Sequence, residues 1–144
     1  MSMLREAVNE ALTKTFNQTW VPWLALLCLC SAYLQGPFDK LRDFSGAVAE
    51  MQHFGLRPAA PWAAFTIAFE LVASVMVLSG WHRCLGALAL AGFTLMASLL
   101  ADRFWAAPRR ERRRVTNAFF EHFGLAGAFV LVAWFDLKGG ADVF

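Results

Sequence analysis

Charged residues are scarce in this sequence. Lys, Arg, Asp and Glu make up 17% of the 144 residues, whereas 58% are hydrophobic and 15% are aromatic. Soluble domains usually carry about a quarter charged residues, so this composition indicates a chain that lies in lipid. Sequence outside the apolar stretches is also short, and its longest piece covers residues 36–61. No nucleotide-binding βαβ unit fits there, and neither G-x-G-x-x-G nor a P-loop occurs, which excludes an autonomous ATPase or nicotinamide dehydrogenase.

Cysteine and histidine are few as well. Three cysteines are too few and too scattered for a disulfide framework, and no C-x-x-C motif occurs. Cys28 and Cys30 point to different sides of one apolar helix, and we expect both to be inert core thiols. His53 and His122 fall on the same predicted side of the membrane and could approach each other near Glu121, but their spacing is not typical of a metal or haem site. The sequence therefore predicts no metal site, no intrinsic cofactor and no catalytic residues of an autonomous enzyme.

Four apolar stretches approach the ~20 residues that a membrane-spanning helix requires. They cover about residues 20–35, 62–79, 84–101 and 118–135, and the first ends at Gly36-Pro37. All six tryptophans lie at or near the predicted ends, where amphipathic rings favour the headgroup layer. The sequence therefore predicts a single all-α membrane domain over residues 1–144, folded as an antiparallel bundle of four transmembrane helices.

Two amphipathic segments flank the first span. Apolar residues repeat at helical spacing over about residues 3–16, before the span. They do so again over about residues 39–54, at Leu41, Phe44, Val48 and Met51, until Gly55 interrupts the pattern. We expect the second segment to be a short interfacial helix whose apolar face lies in the acyl boundary.

Lys and Arg are distributed unevenly along the predicted bundle. Nine of the thirteen fall in the first and third loops, and four fall in the termini and the second loop. The positive-inside rule therefore predicts that the first and third loops are cytoplasmic and that both termini lie outside. We expect the densest cluster to contact anionic lipid or an acidic partner rather than nucleic acid; it consists of Arg109, Arg110, Arg112, Arg113 and Arg114.

Glu70 lies near the middle of the second predicted span, roughly 12 Å from either end. A carboxyl at that depth costs about 2.5–3.5 kcal/mol on insertion scales and usually faces the interior of a bundle. One interpretation is contact with a ligand such as a quinone headgroup, and the other is a helix–helix hydrogen bond to Tyr33, Thr94 or Ser98. Glu70 lies on a face of small or hydroxylated residues, namely Ala63, Thr66, Ala73, Ser74 and Val77. Small residues of the third and fourth spans predict close packing around it: Gly86, Ala89, Gly92, Gly124, Gly127 and Ala128.

The order of these features resembles the DoxX family of bacterial four-span membrane proteins over roughly residues 20–136. The positions that carry the resemblance are Tyr33, Gly36, Lys40, Gly55, Pro58, Glu70, Gly80, Arg83, Phe104, Trp105, Gly124 and Gly127. Glu121, His122 and the dense arginine cluster depart from the family pattern. The family includes the small subunit of an archaeal thiosulfate:quinone oxidoreductase, and other members are associated with membrane redox and oxidative-stress complexes.

The resemblance implies an accessory or docking subunit of a quinone-linked redox complex in the bacterial inner membrane. On this hypothesis Tyr33, Lys40 and Glu70 are the candidate ligand-binding residues, and quinone is bound at an interface with membrane or membrane-associated redox proteins. The resemblance leaves open whether the chain also forms a homo-oligomer. Two alternatives remain: a small transporter or channel-like protein that uses Glu70, and a purely structural membrane scaffold.

Overall fold

The part of the chain that the structure describes is helical. The computed structural model describes residues 1–139. The helices are α1 (Ser2–Phe16), α2 (Trp20–Arg42), α3 (Phe44–His53), α4 (Ala59–Ser79), α5 (Arg83–Ala101) and α6 (Arg112–Leu137). Helices α2, α4, α5 and α6 are each long and apolar enough to cross a membrane. The predicted all-α, four-span fold with a short helix in the first loop is therefore confirmed.

The four spans pack in the order α2, α4, α5, α6. Helices α2 and α6 approach each other less closely, and Tyr33 and Phe129 meet across this seam with their ring centroids 5.3 Å apart. The first loop (43–58) and the third loop (102–111) lie together at one end of the bundle, which we call the basic end because it carries the arginine cluster. The start of α2 and the end of α6 lie at the opposite end.

The inward face of α4 is the one that the sequence predicted. Ala63, Thr66, Ala73, Ser74 and Val77 are all buried, together with Glu70. Larger apolar residues of the same helix, such as Phe65 and Val72, are exposed on the outside of the bundle, where lipid would cover them. Cys30 is buried in the core, whereas Cys28 is exposed, so the expectation of a core thiol is wrong for Cys28.

The first span does not end at Gly36-Pro37. Helix α2 continues through Pro37, which is buried, to Arg42. Proline removes one backbone donor, and neighbouring helices allow membrane helices to accommodate that loss. The predicted interfacial helix over 39–54 therefore starts later, at Phe44, where the Asp43 carboxylate accepts a hydrogen bond from the Gly46 amide at 2.9 Å.

The later start of α3 changes the face that it buries. Ala47 and Met51 are buried against Ala59 and Ala63 of α4. Leu41, which was expected on the same apolar face, belongs to the last turn of α2 and is exposed. Helix α3 thus packs on the bundle through a shorter face than the sequence pattern predicted.

Helix α6 also differs from its predicted span. It begins at Arg112 rather than near residue 118, so Glu121 and His122 lie well inside it. The first turn of α6 therefore carries three arginines of the cluster, and His122 can face the neighbouring helices.

Close helix packing depends on one of the predicted glycines. A Cβ at Gly86 would lie 2.8 Å from Met76 Cβ and 2.9 Å from the Ala73 carbonyl oxygen, so α5 approaches α4 closely there. Apart from its chain neighbours and the nearby backbone of its own helix, no described atom lies within 4 Å of a Cβ placed at Gly92, Gly124 or Gly127. The prediction that these three glycines mediate close packing is wrong.

Candidate functional site

Lys40 and Glu70 form an ion pair inside the bundle. The Lys40 Nζ donates a hydrogen bond to Glu70 Oε1 at 2.9 Å, and the two side chains are 23% and 6% exposed. Lys40 reaches Glu70 because α2 stays helical beyond Pro37. One turn earlier, a Cβ at Gly36 would lie 3.4 Å from Glu70 Oε2, so the α2 backbone passes close to the carboxylate. The hydrogen-bond partner of Glu70 is therefore Lys40, and not Tyr33, Thr94 or Ser98 as the structural interpretation expected.

Tyr33 instead pairs with Thr94 of α5. The two hydroxyl oxygens are 2.5 Å apart, and the Thr94 hydroxyl also donates to the Leu90 carbonyl at 2.6 Å. Because a hydroxyl has one proton, the Tyr33 hydroxyl must be the donor to Thr94. Both side chains are buried, and this bond joins α2 to α5 near the middle of the bundle.

A second polar group lies nearer the basic end, between α5 and α6. His122 Nδ1 is 2.8 Å from Asp102 Oδ2, and the Ser98 hydroxyl donates to the same oxygen at 3.2 Å. A carboxylate can only accept, so the Nδ1 of His122 carries a proton and its Nε2 is left for another partner. Asp102 thereby fixes both the tautomer and the orientation of the imidazole.

Side chains from each of these three groups line one cleft. A cavity of about 210 Å³, which we call the α2–α6 cleft, lies between α2 and α6 with α4 and α5 behind it. It is lined by Ala32, Tyr33, Lys40, Glu70, Phe93, Thr94, Ala97, His122 and Leu125. The cleft thus combines an ammonium donor, a carboxylate, two hydroxyls and an imidazole with an apolar, partly aromatic wall. Such a lining suits a small polar ring that both accepts and donates hydrogen bonds.

The structure brings the three predicted ligand-binding residues, Tyr33, Lys40 and Glu70, to the same cleft. The arginine cluster lies apart from it, at the basic end. The sequence did not predict that His122 and its partner Asp102 belong to the site, although Asp102 directly follows α5 and α6 returns beside it. His53, which was expected to approach His122 near Glu121, lines a different cavity from His122. Among residues 1–139, no group of three or more His, Cys, Asp or Glu side chains could hold a metal ion.

The opposite end of the bundle is joined by a separate polar group. Arg83 donates from Nε to the Val77 carbonyl at 2.8 Å and lies 3.9 Å from Asp136. Asp136 also accepts a hydrogen bond from the Cys84 amide at 3.0 Å. This group connects the α4–α5 turn to the end of α6, and we assign it a structural role.

Comparison with known proteins agrees with the resemblance seen in the sequence. The family model DoxX matches residues 23–103, which is more than half of the chain and includes Tyr33, Lys40, Glu70 and Asp102. His122 lies outside the matched range. Neither the comparison with curated proteins nor the comparison with solved structures found a match. The chain is a multi-pass membrane protein that belongs to the DoxX family.

Proposed function

We propose that this protein is an accessory subunit of a quinone-linked redox complex in the bacterial inner membrane, and that the α2–α6 cleft binds the quinone headgroup. The observation that carries the proposal is that the buried Lys40–Glu70 pair and the His122 imidazole line the same cleft. Intramembrane ionisable residues usually mark a functional site with a paired partner.

The donors and acceptors of the cleft suit both redox forms of a quinone. Quinone carbonyls accept hydrogen bonds, and Lys40 has two N–H groups beyond the one donated to Glu70. Quinol hydroxyls donate hydrogen bonds, and the Nε2 of a neutral His122 accepts them because Asp102 holds the proton on Nδ1. Phe93 offers an aromatic edge or face to the ring.

The size and position of the cleft favour a headgroup with a lipid tail. A volume of about 210 Å³ is below the roughly 300–1,000 Å³ of sites for drug-sized ligands, and it accommodates a single substituted ring. The cleft lies at the seam where α2 and α6 approach least closely, so a prenyl tail would leave directly into the bilayer. A nucleotide or a flavin would not fit this space.

The accessory role is proposed because the electrons for quinone reduction must come from another protein. Reduction of a quinone to a quinol takes up two electrons and two protons, and the chain has no nucleotide-binding motif through which to collect electrons. On this proposal a redox partner protein supplies them. The arginine cluster at the basic end would face the cytoplasm and would suit an acidic surface of that partner.

Quinone retention tests the proposal. The protein would be purified from native membranes in a gentle detergent, and the quinone per mole of protein would be measured by chromatography and mass spectrometry. We expect close to one quinone per chain, and at least a tenfold loss in folded Lys40→Gln, Glu70→Gln and His122→Ala variants. Lys14→Gln and Glu10→Gln make two of the same changes on the exposed helix α1 and should retain the quinone.

Copurification from the same preparation tests the partner. We expect a redox protein to accompany the chain, and a preparation that holds neither quinone nor a redox protein would contradict the proposal. Ion or solute flux through vesicles of the purified protein, abolished by Glu70→Gln, would instead identify a transporter.

A further inference from the structure

A second cavity, of about 510 Å³, lies at the basic end of the bundle. We call it the basic-end cavity. His53, Phe54 and Gly55 line it from the first loop, and residues from Leu100 to Val115 line it from the third loop and the adjoining turns of α5 and α6. It shares no lining residue with the α2–α6 cleft. Any ligand of this cavity is therefore independent of the proposed quinone site.

The lining of the basic-end cavity is amphipathic. Leu100, Ala101 and Val115 give it an apolar side, and Arg103 lies at its polar side. Arg103 donates from Nε to the Leu99 carbonyl at 3.4 Å, which takes one of its five N–H donors. This combination of apolar surface with a guanidinium matches a molecule that is part hydrocarbon and part anion.

A second guanidinium, that of Arg112, does not line the cavity but is hydrogen-bonded to a residue that does. Arg112 donates from Nη2 to the carbonyl of Ala107, a lining residue, at 3.4 Å. The carboxylate in the lining, Glu111, lies 3.7 Å from Arg114, so its charge is offset locally. The cavity therefore presents an excess of positive charge.

A cluster of aromatic side chains adjoins this cavity and indicates its depth in the bilayer. The Phe104 ring is 5.1 Å from Trp105 and 5.3 Å from Phe119, and Phe119 is 5.6 Å from Phe120. Trp105 and Phe120 are exposed on the outside of the protein. Tryptophan is enriched at the headgroup level, so we expect the adjoining cavity to lie at the depth of the lipid phosphates.

We propose that the basic-end cavity binds the headgroup of an anionic phospholipid. Arg103 and Arg112 bind the phosphate, and Leu100 and Val115 contact the first methylenes of the acyl chains. Guanidinium groups suit this role because their planar N–H pairs match two phosphate oxygens at once. A zwitterionic lipid binds less well, since its cationic headgroup meets the same excess of positive charge.

Thermal denaturation of the detergent-purified full chain, followed by tryptophan fluorescence, tests the proposal. The probes are phosphatidylglycerol, phosphatidylcholine and inorganic phosphate. We expect phosphatidylglycerol alone to raise the melting temperature saturably. Removing one charge near a membrane surface weakens binding about fivefold, so the Arg103→Gln/Arg112→Gln variant should bind phosphatidylglycerol about 25-fold more weakly.

Two controls separate this site from general attraction of anionic lipid. The Arg109→Gln/Arg113→Gln variant removes the same charge from the same end, but these two residues neither line the cavity nor share a described side-chain hydrogen bond with a lining residue. The Arg5→Gln/Lys14→Gln variant removes the same charge from α1. Both should keep at least a third of the wild-type affinity. If the Arg103→Gln/Arg112→Gln variant does not fold, Arg103→Lys/Arg112→Lys takes its place in the test. We expect this variant to bind phosphatidylglycerol at least threefold more weakly than the wild type, because lysine keeps the charge but lacks the paired N–H donors of arginine.

Three results would overturn the proposal. The first is equal stabilisation by phosphatidylcholine, which would show a site without charge selectivity. The second is equal stabilisation by inorganic phosphate, which would show a free-anion site. The third is equal weakening by Arg109→Gln/Arg113→Gln, which would show diffuse electrostatic attraction.

Discussion

Lys40 lies near the end of α2, yet its ammonium is held inside the bundle by a carboxylate near the middle of α4. A buried ion pair contributes little net stability, but loss of one partner leaves the other charge uncompensated in a medium of low dielectric constant. The two charged side chains differ in whether they can reach the headgroup layer once the partner is removed. Lys40 is 23% exposed and can extend toward the headgroups, whereas Glu70 is 6% exposed and has no such route.

We therefore expect Lys40→Met to lower the free energy of unfolding by about 3 kcal/mol. Glu70→Gln should cost less, and the double variant should be more stable than Lys40→Met alone. Unfolding in mixed micelles, followed by tryptophan fluorescence, would measure all three in a double-mutant cycle. Additive effects of the two substitutions would show that the ion pair is not formed. Lys14→Met with Glu6→Gln provides the uncoupled reference, because these two exposed residues lie eight positions apart on α1.

The sequence predicted Tyr33, Lys40 and Glu70 as site residues, but it did not predict which side chains they contact. Glu70 stands out because a carboxyl is costly at that depth, and the small face around it shows which way it points. The pairing with Lys40 depends on α2 remaining helical through Pro37, and local propensity alone predicts an end there. His122 and Asp102 were missed for a similar reason. Their contact depends on the register between α5 and α6, which no single apolar stretch specifies.

At the scale of the helices, Gly86 sets the distance between α4 and α5. An added Cβ would meet the Ala73 carbonyl oxygen and the Met76 Cβ, and backbone atoms cannot move aside as a flexible side chain can. We expect Gly86→Ala to lower the free energy of unfolding by about 1–3 kcal/mol. Gly92→Ala on the same helix should leave stability unchanged or raise it by up to roughly 1 kcal/mol, because no described atom of another helix lies within 4 Å of the added methyl. Equal effects in a thermal denaturation series would contradict the tight contact at Gly86.

The first turn of α3 depends on the Asp43 carboxylate. Hydrogen bonds from the Gly46 amide, and secondarily from the Ser45 hydroxyl, lower the pKa of Asp43 below its ordinary value of 3.8. Since the folded pKa is below the unfolded one, this cap stabilises α3 fully above the unfolded pKa. Its contribution is lost as the pH falls through the lower folded pKa.

We therefore expect the first turn of α3 to open in acid, below about pH 3.8. Amide hydrogen exchange at Gly46 and Ala47, corrected for the intrinsic pH dependence, would show faster exchange there. Asp43→Asn keeps a capping side chain that does not titrate, so this variant should lose the acid dependence. Persistence of the same acid dependence in Asp43→Asn would assign it to another group.

At the scale of the whole molecule, the two cavities lie at different depths along the bundle. The α2–α6 cleft holds paired charges between the spans, and the basic-end cavity lies under the loops. The number of spans follows from composition and apolar length, and the positions of the tryptophans mark their ends. The existence of the cleft does not follow from either, because it depends on the order in which the helices pack and on the loose α2–α6 seam.

The orientation of the whole molecule depends largely on five arginines. Nine Lys and Arg residues fall in the first and third predicted loops and four fall in the termini and the second loop, so the basic end is predicted to be cytoplasmic. Substitution of Arg109, Arg110, Arg112, Arg113 and Arg114 by Gln leaves four on each side and should give a mixed population of orientations. Fusions at the C-terminus would measure this, since alkaline phosphatase is active outside the cytoplasm and green fluorescent protein is fluorescent inside it.

For the wild-type chain, we expect the C-terminal phosphatase fusion to be active and the fluorescent fusion to be dark. Arg5→Gln/Lys14→Gln should not change this result, because it lowers the count only on the outer side and so increases the bias. The five-arginine variant should show both signals. A fluorescent C-terminal fusion of the wild type would place the basic end outside. The arginine cluster would then face away from the anionic cytoplasmic leaflet, and a cytoplasmic redox partner could not dock on it.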